Sequence, residues 1–156
     1  MVDKVCPLVL RNQNSEILLF KHPLAGIQLV KGTVESFDGD LLSAAKRELA
    51  EESGIDQVKQ TSYLGRWESE FQEQVWHFVL CECGALPEQW VFHTKDDGGH
   101  HFAFFWHDIT QDITSHAHPV FQRALEQARE FIRLGKIDLP VSERENVDVL
   151  IPSSST

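Results

Sequence analysis

Residues 29–55, LVKGTVESFDGDLLSAAKRELAEESGI, constrain this chain more than any other stretch. A strand-like entry leads through Gly32 into a loop, and the loop leads into a helix. Asp40 is a good N-cap, and Leu41, Ala45 and Leu49 recur every four residues as a buried stripe. Gly54 stops the helix in the left-handed position common after a helix end. Residues three and four apart share a helix face, so Glu48, Glu51 and Glu52 form one carboxylate cluster. A helix C-terminus favours cations, and like charges spaced i,i+4 cost about 0.2–0.5 kcal/mol per pair. Arg47 and Lys46 relieve this only in part. A hard divalent cation held by carboxylate oxygens would relieve both repulsions.

The chain has 156 residues, enough for one domain with a sizeable core. Its 24 acids against 14 basic residues give a formal charge of -10. That balance disfavours long nucleic acid and anionic membranes as partners. It does not disfavour a small anionic substrate bound through a metal. Cys6, Cys81 and Cys83 show neither zinc-ligand spacing nor a disulfide framework, which fits a reducing compartment. The N-terminus lacks a signal-peptide shape, and no run approaches membrane-spanning length. The expected location is cytoplasmic.

Taken in order, residues 5–10 and 16–20 predict a β-hairpin around the turn residues 12–15. Residues 27–30 begin a strand that leads into Gly32. Residues 63–70 and 75–83 read as strands joined by a turn at 71–74, the second apolar enough to be central. Residues 84–89 read as a loop containing Pro87. Asp96, Asp97, Gly98 and Gly99 have turn composition, and residues 101–106 form an aromatic strand. Residues 118–134 carry a wide helical apolar stripe, with Gly135 as the expected stop. Strands, a helix, more strands and a closing helix predict an α+β or α/β fold, a mixed β-sheet sandwiched between helices. One domain over 1–137 and a polar tail over 138–156 complete the expectation.

The run Arg47-Glu48-Leu49-Ala50-Glu51-Glu52-Ser53-Gly54-Ile55 resembles the second half of the Nudix box, G-x5-E-x7-R-E-U-x-E-E-x-G-U, with Leu49 and Ile55 in the aliphatic positions. Gly32 matches the opening glycine. Six positions on, Asp38 stands where the family has glutamate, and eight residues instead of seven separate it from Arg47. The loop therefore carries one extra residue.

This resemblance implies a Nudix-like α/β/α fold. It also implies hydrolysis of a diphosphate linkage in a nucleoside diphosphate attached to another moiety. Phosphate charge repels the attacking water, and a divalent cation both neutralises that charge and lowers the pKa of bound water. Mg²⁺ or Mn²⁺ with oxygen ligands is the expected cofactor. By resemblance, Glu48, Glu51 and Glu52 are the metal ligands, with a backbone carbonyl from Lys31 or Gly32. Arg47 orients one of the glutamates. Glu35 is open between ligand, partner of Arg47 and exposed residue. Glu51 or Glu52 could act as general base through a metal-bound water, and Asp96, Asp97, His100 and His101 are the later candidates. Lys31, Gly32, Asp97 and His101 are the candidate substrate contacts. Adjacent strand residues face opposite ways, so at most one of His100 and His101 should face the site. Trp67, Trp76, Trp90 and Phe71 are candidates for base stacking, against an ordinary core role. A catalytically silent nucleotide-binding or regulatory module is the alternative. Dimerisation is common in the family, so a homodimer is open. The substrate stays open among nucleotide sugars, dinucleoside polyphosphates, damaged nucleoside triphosphates, ADP-ribose and capped RNA ends.

Overall fold

The computed structural model describes residues 1–95 and 99–137. The expected tail, 138–156, lies outside the described residues, as do Asp96, Asp97 and Gly98. In chain order the strands are β1 (Val2–Leu8), β2 (Leu10–Arg11), β3 (Glu16–His22), β4 (Gly26–Gln28), β5 (Gly32–Thr33), β6 (Val58–Glu68), β7 (Gln74–Cys83), β8 (Gln89–His93) and β9 (His101–Asp108). The helices are α1 (Leu41–Ser53) and α2 (Pro119–Ile137), and a single 3-10 turn (Ser36–Asp38) precedes α1.

The mixed fold between helices stands, with its strands divided over two sheets. One sheet has the order β5-β1-β7-β6; the other has β2-β3-β9-β8, with β4 beside β3. β7 runs parallel to β1 and antiparallel to β6. Its side chains from Gln74 to Val79 are all buried, as a strand covered on both faces requires. Alternate residues feed two cores. Val5, Leu18, Phe20 and Val79 pack with Leu41, Ala45 and Leu49 of α1. Cys6, Leu8, Leu19 and Phe78 pack with Val120, Ala124 and Leu125 of α2. α2 comes so close to β6 that a Cβ on Gly65 would lie 2.5 Å from the Phe131 ring.

Four expectations need correction. The 5–10 run does not form one hairpin with 16–20. Only Leu10 and Arg11 pair with Ile17 and Glu16, while β1 pairs with β5 and β7. Residues 5–8 are buried at every position, which demands strands on both sides. The strand expected at 63–70 begins earlier, at Val58. β8, which was not expected, begins at Gln89, the last residue of the expected 84–89 loop, and is an edge strand with Trp90 and Phe92 turned inward and Val91 outward. Gly135 does not end α2, which runs to Ile137. One glycine near a helix end costs about 1 kcal/mol, too little to terminate a well-packed helix.

Candidate active site

α1 is capped at both ends as its sequence requires. The Asp40 carboxylate accepts from Ser43 N at 2.7 Å. Gly54 takes φ 82° and donates its N–H to Ala50 O at 3.0 Å. The last turn gains a partner that the motif does not reveal: Trp90 Nε1 of β8 donates to Ser53 O at 3.0 Å.

Arg47 is the hub of the carboxylates. Its Nη1 donates to Glu48 Oε1 at 2.9 Å and to Glu51 Oε2 at 3.1 Å. Nε and Nη2 grip Asp38 at 2.6 and 2.9 Å, and Nη2 also reaches Thr33 O at 3.0 Å. Each contact is charge-assisted or aimed at a backbone carbonyl, so this one guanidinium ties the loop, β5 and α1 together. Asp38 therefore partners Arg47 through the family's glutamate position, although it is one methylene shorter. The loop compensates by coiling into its 3-10 turn, which brings Asp38 in to accept from Glu35 N at 2.8 Å as well. The extra length turns outward at Gly39. Its φ is 84°, and no neighbour lies within 4 Å of where its Cβ would be. The Glu35 side chain is exposed.

Gly32 lies directly over Glu48. A Cβ there would fall 1.8 Å from Glu48 Cδ and about 2 Å from both carboxylate oxygens. Pairing with Val5 of β1 places Gly32, and Lys4 Nζ donates to Thr33 Oγ1 at 2.6 Å beside it. The Glu48 carboxylate is thereby buried, which pushes its pKa up, against the lowering effect of hydrogen bonds to Glu52 and Arg47. Glu52 is half-buried next to it, and Glu51 is exposed.

Among the described residues, no three acids, histidines or cysteines stand ready-made as a metal cage. The donor set nonetheless fits a hard cation. Glu48, Glu51 and Glu52 share the last turn of α1, and a divalent ion among their carboxylates would relieve the repulsion between them. All the side-chain donors are oxygens, and Gly32 keeps its backbone open to the Glu48 carboxylate.

The other expected contacts are dispersed. Lys31 Nζ turns away into an aromatic box. It donates to Gln74 Oε1 at 3.1 Å and lies 4.7, 5.3 and 5.7 Å from the Trp76, Phe71 and Phe121 rings. Burial lowers its pKa to about 8. Trp76 is fully buried and donates its own Nε1–H to the same Gln74 oxygen at 2.9 Å. Trp67 packs edge-on against Trp76, and Trp90 stacks on Phe104 at 5.1 Å. His101 is exposed, 4.4 Å from the His93 ring. His100 instead lines a cleft of about 260 Å³ that also contains Glu52, Lys31, His22, Gln28 and Phe102. Asp97 lies outside the described residues. His22 and Gln28 carry no motif or spacing signal; β3, β4 and the start of β9 bring them to Glu52. No described helix is long and apolar enough to cross a membrane.

Comparison with known proteins bears on the fold and the family. No curated protein sequence matches the chain. Solved structures share its fold. The NUDIX domain of Shewanella oneidensis NrtR, complexed with ADP ribose, aligns with TM-score 0.61 and 15% identity over 85% of this chain and 88% of that one. The MutT NUDIX hydrolase from Burkholderia pseudomallei aligns with TM-score 0.59 and 24% identity over 81% and 96%. A MutT protein from Methanosarcina mazei Go1 aligns with TM-score 0.58 and 20% identity over 86% and 95%. The family description "NUDIX domain" matches residues 3–133. With that match spanning most of its length, and with Gly32 seated on a carboxylate cluster gathered by Arg47, the chain belongs to the NUDIX domain family.

Proposed function

We propose that the protein hydrolyses a diphosphate linkage in a nucleoside diphosphate derivative, by water attack on phosphorus, with a divalent cation such as Mg²⁺ or Mn²⁺. The observation that carries this reading is the seat of Gly32 on the Glu48 carboxylate, which accepts a hydrogen bond from Arg47. Glu48, Glu51 and Glu52 would hold the cation, with a backbone carbonyl from Lys31 or Gly32. When bound, it would neutralise phosphate charge and make water a better nucleophile at neutral pH. Arg47 fixes the Glu48 rotamer and keeps Glu51 within reach. Glu51 or Glu52 would accept a proton from the attacking water. Oxygen-only ligands favour a hard ion over zinc.

The NrtR domain in its ADP-ribose complex supports a nucleotide derivative as ligand, and ADP-ribose is the first compound to test. A reducing cytoplasmic setting fits the three free cysteines. The second reading, a nucleotide-binding module without turnover, draws support from the grip of Arg47 on both Glu48 and Glu51. The deciding experiment screens nucleotide sugars, dinucleoside polyphosphates, ADP-ribose, oxidised nucleoside triphosphates and capped RNA with Mg²⁺ and Mn²⁺. Phosphate release after phosphatase coupling is the readout. Turnover of one class, lost in Glu52→Gln, is the expected result; binding of a nucleotide with no turnover of any class establishes the second reading.

A further inference from the structure

The antiparallel pair β8 and β9 ends in two exposed histidines that the carboxylate cluster does not use. His93 and His101 stand directly opposite each other in the strand register. Just beyond them, Thr94 N donates to His100 O at 2.9 Å. Antiparallel pairs alternate, so a hydrogen bond between 94 and 100 makes 93 and 101 a non-hydrogen-bonded pair, the kind with Cα atoms only about 4.5 Å apart. The two imidazoles accordingly lie close, with centroids 4.4 Å apart and planes inclined at 39°.

The end of the strand pair fixes this approach. Thr94 is buried, and its Oγ1 accepts from His100 N at 3.3 Å. Gly99 leaves the space that the His93 ring fills. Its φ is 86°, and a Cβ there would fall 2.8 Å from His93 Nε2. Successive strand residues face opposite ways. His100 therefore lines the cleft beside Glu52, while His101 faces the other side of the sheet with His93. The pair is separate from the box carboxylates.

As a packing contact between exposed rings, the pair contributes only about 0.2–1 kcal/mol. As a chelate it has the required geometry. Two nitrogens bound to one tetrahedral ion at about 2.0–2.1 Å stand about 3.3 Å apart. Rings this close reach that separation by rotation about χ2, a soft torsion in histidine. Exposure avoids a desolvation cost and leaves the other coordination positions to water. The formal charge of -10 draws cations to the surface. Imidazole nitrogen suits Zn²⁺, Ni²⁺ and Cu²⁺, whereas Mg²⁺ takes oxygen ligands.

We propose that His93 and His101 chelate a borderline divalent ion of the Zn²⁺, Ni²⁺ and Cu²⁺ class, clamping β8 to β9 at a site independent of the carboxylate cluster. The assignment does not rest on the proposed hydrolysis.

The test uses the full chain in excess Mg²⁺, which occupies oxygen sites. Calorimetry measures the affinity for Zn²⁺, Co²⁺, Ni²⁺ and Cu²⁺, and the imidazole NMR resonances of His93 and His101 are followed with Zn²⁺. Zn²⁺ should perturb both rings together, and Mg²⁺ neither. Affinity should rise from Co²⁺ through Ni²⁺ to Cu²⁺. His93→Ala and His101→Ala should each weaken Zn²⁺ binding by about 10-fold or more, because the fold presents the second imidazole at a high effective concentration. The double variant should lose little beyond either single one. His100→Ala, on the opposite face, should keep the site. Circular dichroism and Tm check that each variant folds. Losses that simply add would mean two independent histidines and would overturn the proposal. So would Zn²⁺ binding that leaves His93 and His101 unperturbed, or a loss in His100→Ala as large as in His101→Ala.

Discussion

Replacing Asp38 with Asn tests whether Asp38 holds the box together in place of the family's glutamate. The carboxylate accepts three hydrogen bonds, from Arg47 Nε, Arg47 Nη2 and Glu35 N, and its side chain is only 2% exposed. Asn keeps the shape and one oxygen but loses the charge and half of the fork. Breaking a buried ion pair outright costs about 3–5 kcal/mol. Arg47 retains Glu48, Glu51 and Thr33 O, so about 2–3 kcal/mol is expected for Asp38→Asn. For a domain of this size that is a drop in Tm of roughly 6–10 °C. Urea unfolding followed by tryptophan fluorescence at pH 7 measures it. The Arg47 guanidinium holds the Asp38 carboxyl below its ordinary value of 3.8. A depressed carboxyl contributes its stability fully above the unfolded pKa and loses it as pH falls through the folded one. The gap between wild type and Asp38→Asn should therefore shrink by about 1 kcal/mol between pH 7 and pH 3. A difference under about 0.5 kcal/mol at pH 7 would refute the assignment. So would a gap that does not shrink in acid.

Gly32→Ala would put a methyl into the Glu48 carboxylate, so a loss of about 1–3 kcal/mol in urea unfolding is expected, with turnover lost. Glu52→Gln should abolish Mg²⁺-dependent turnover with an unchanged circular dichroism spectrum; it gives Glu48 a neutral donor, so the metal-free Tm should hold or rise. Lys31→Met should not lower Tm at pH 7, because burial disfavours the ammonium in the folded state. With the folded pKa lowered to about 8 from 10.5, wild-type stability should climb as pH rises from 8 to 10.5, and Lys31→Met should lose that slope in pH-dependent melting. A variant that keeps the slope would show that Lys31 is solvated.

The legible parts of this protein are those whose physics is local. Helix periodicity put Glu48, Glu51 and Glu52 together, and Asp40 and Gly54 marked the two ends of α1, because neighbours along a helix are neighbours in sequence. The burial of 75–79 was equally readable from a mostly apolar run, interrupted there only by His77. What lay hidden depends on partners far apart in the chain. Asp38 stood out only as a mismatch in spacing until the 3-10 turn brought it to Arg47. Lys31 stands next to Gly32 in sequence, yet its ammonium goes to Gln74 and Trp76, which only the pairing of β1 with β7 supplies. β8 escaped notice because an edge strand buries one face only, and its exposed Val91 blurs the alternation.

The sequence by itself determined the carboxylate face, its helix and the glycine that must approach it, since each follows from backbone geometry within about 25 residues. Only the tertiary structure decided that Gly32 rests on Glu48, that Asp38 completes the Arg47 hub, and that His22, Gln28 and His100 share a cleft with Glu52. Those contacts join separate strands and loops across two sheets. Their geometry is set by strand register and core packing, which no local pattern encodes.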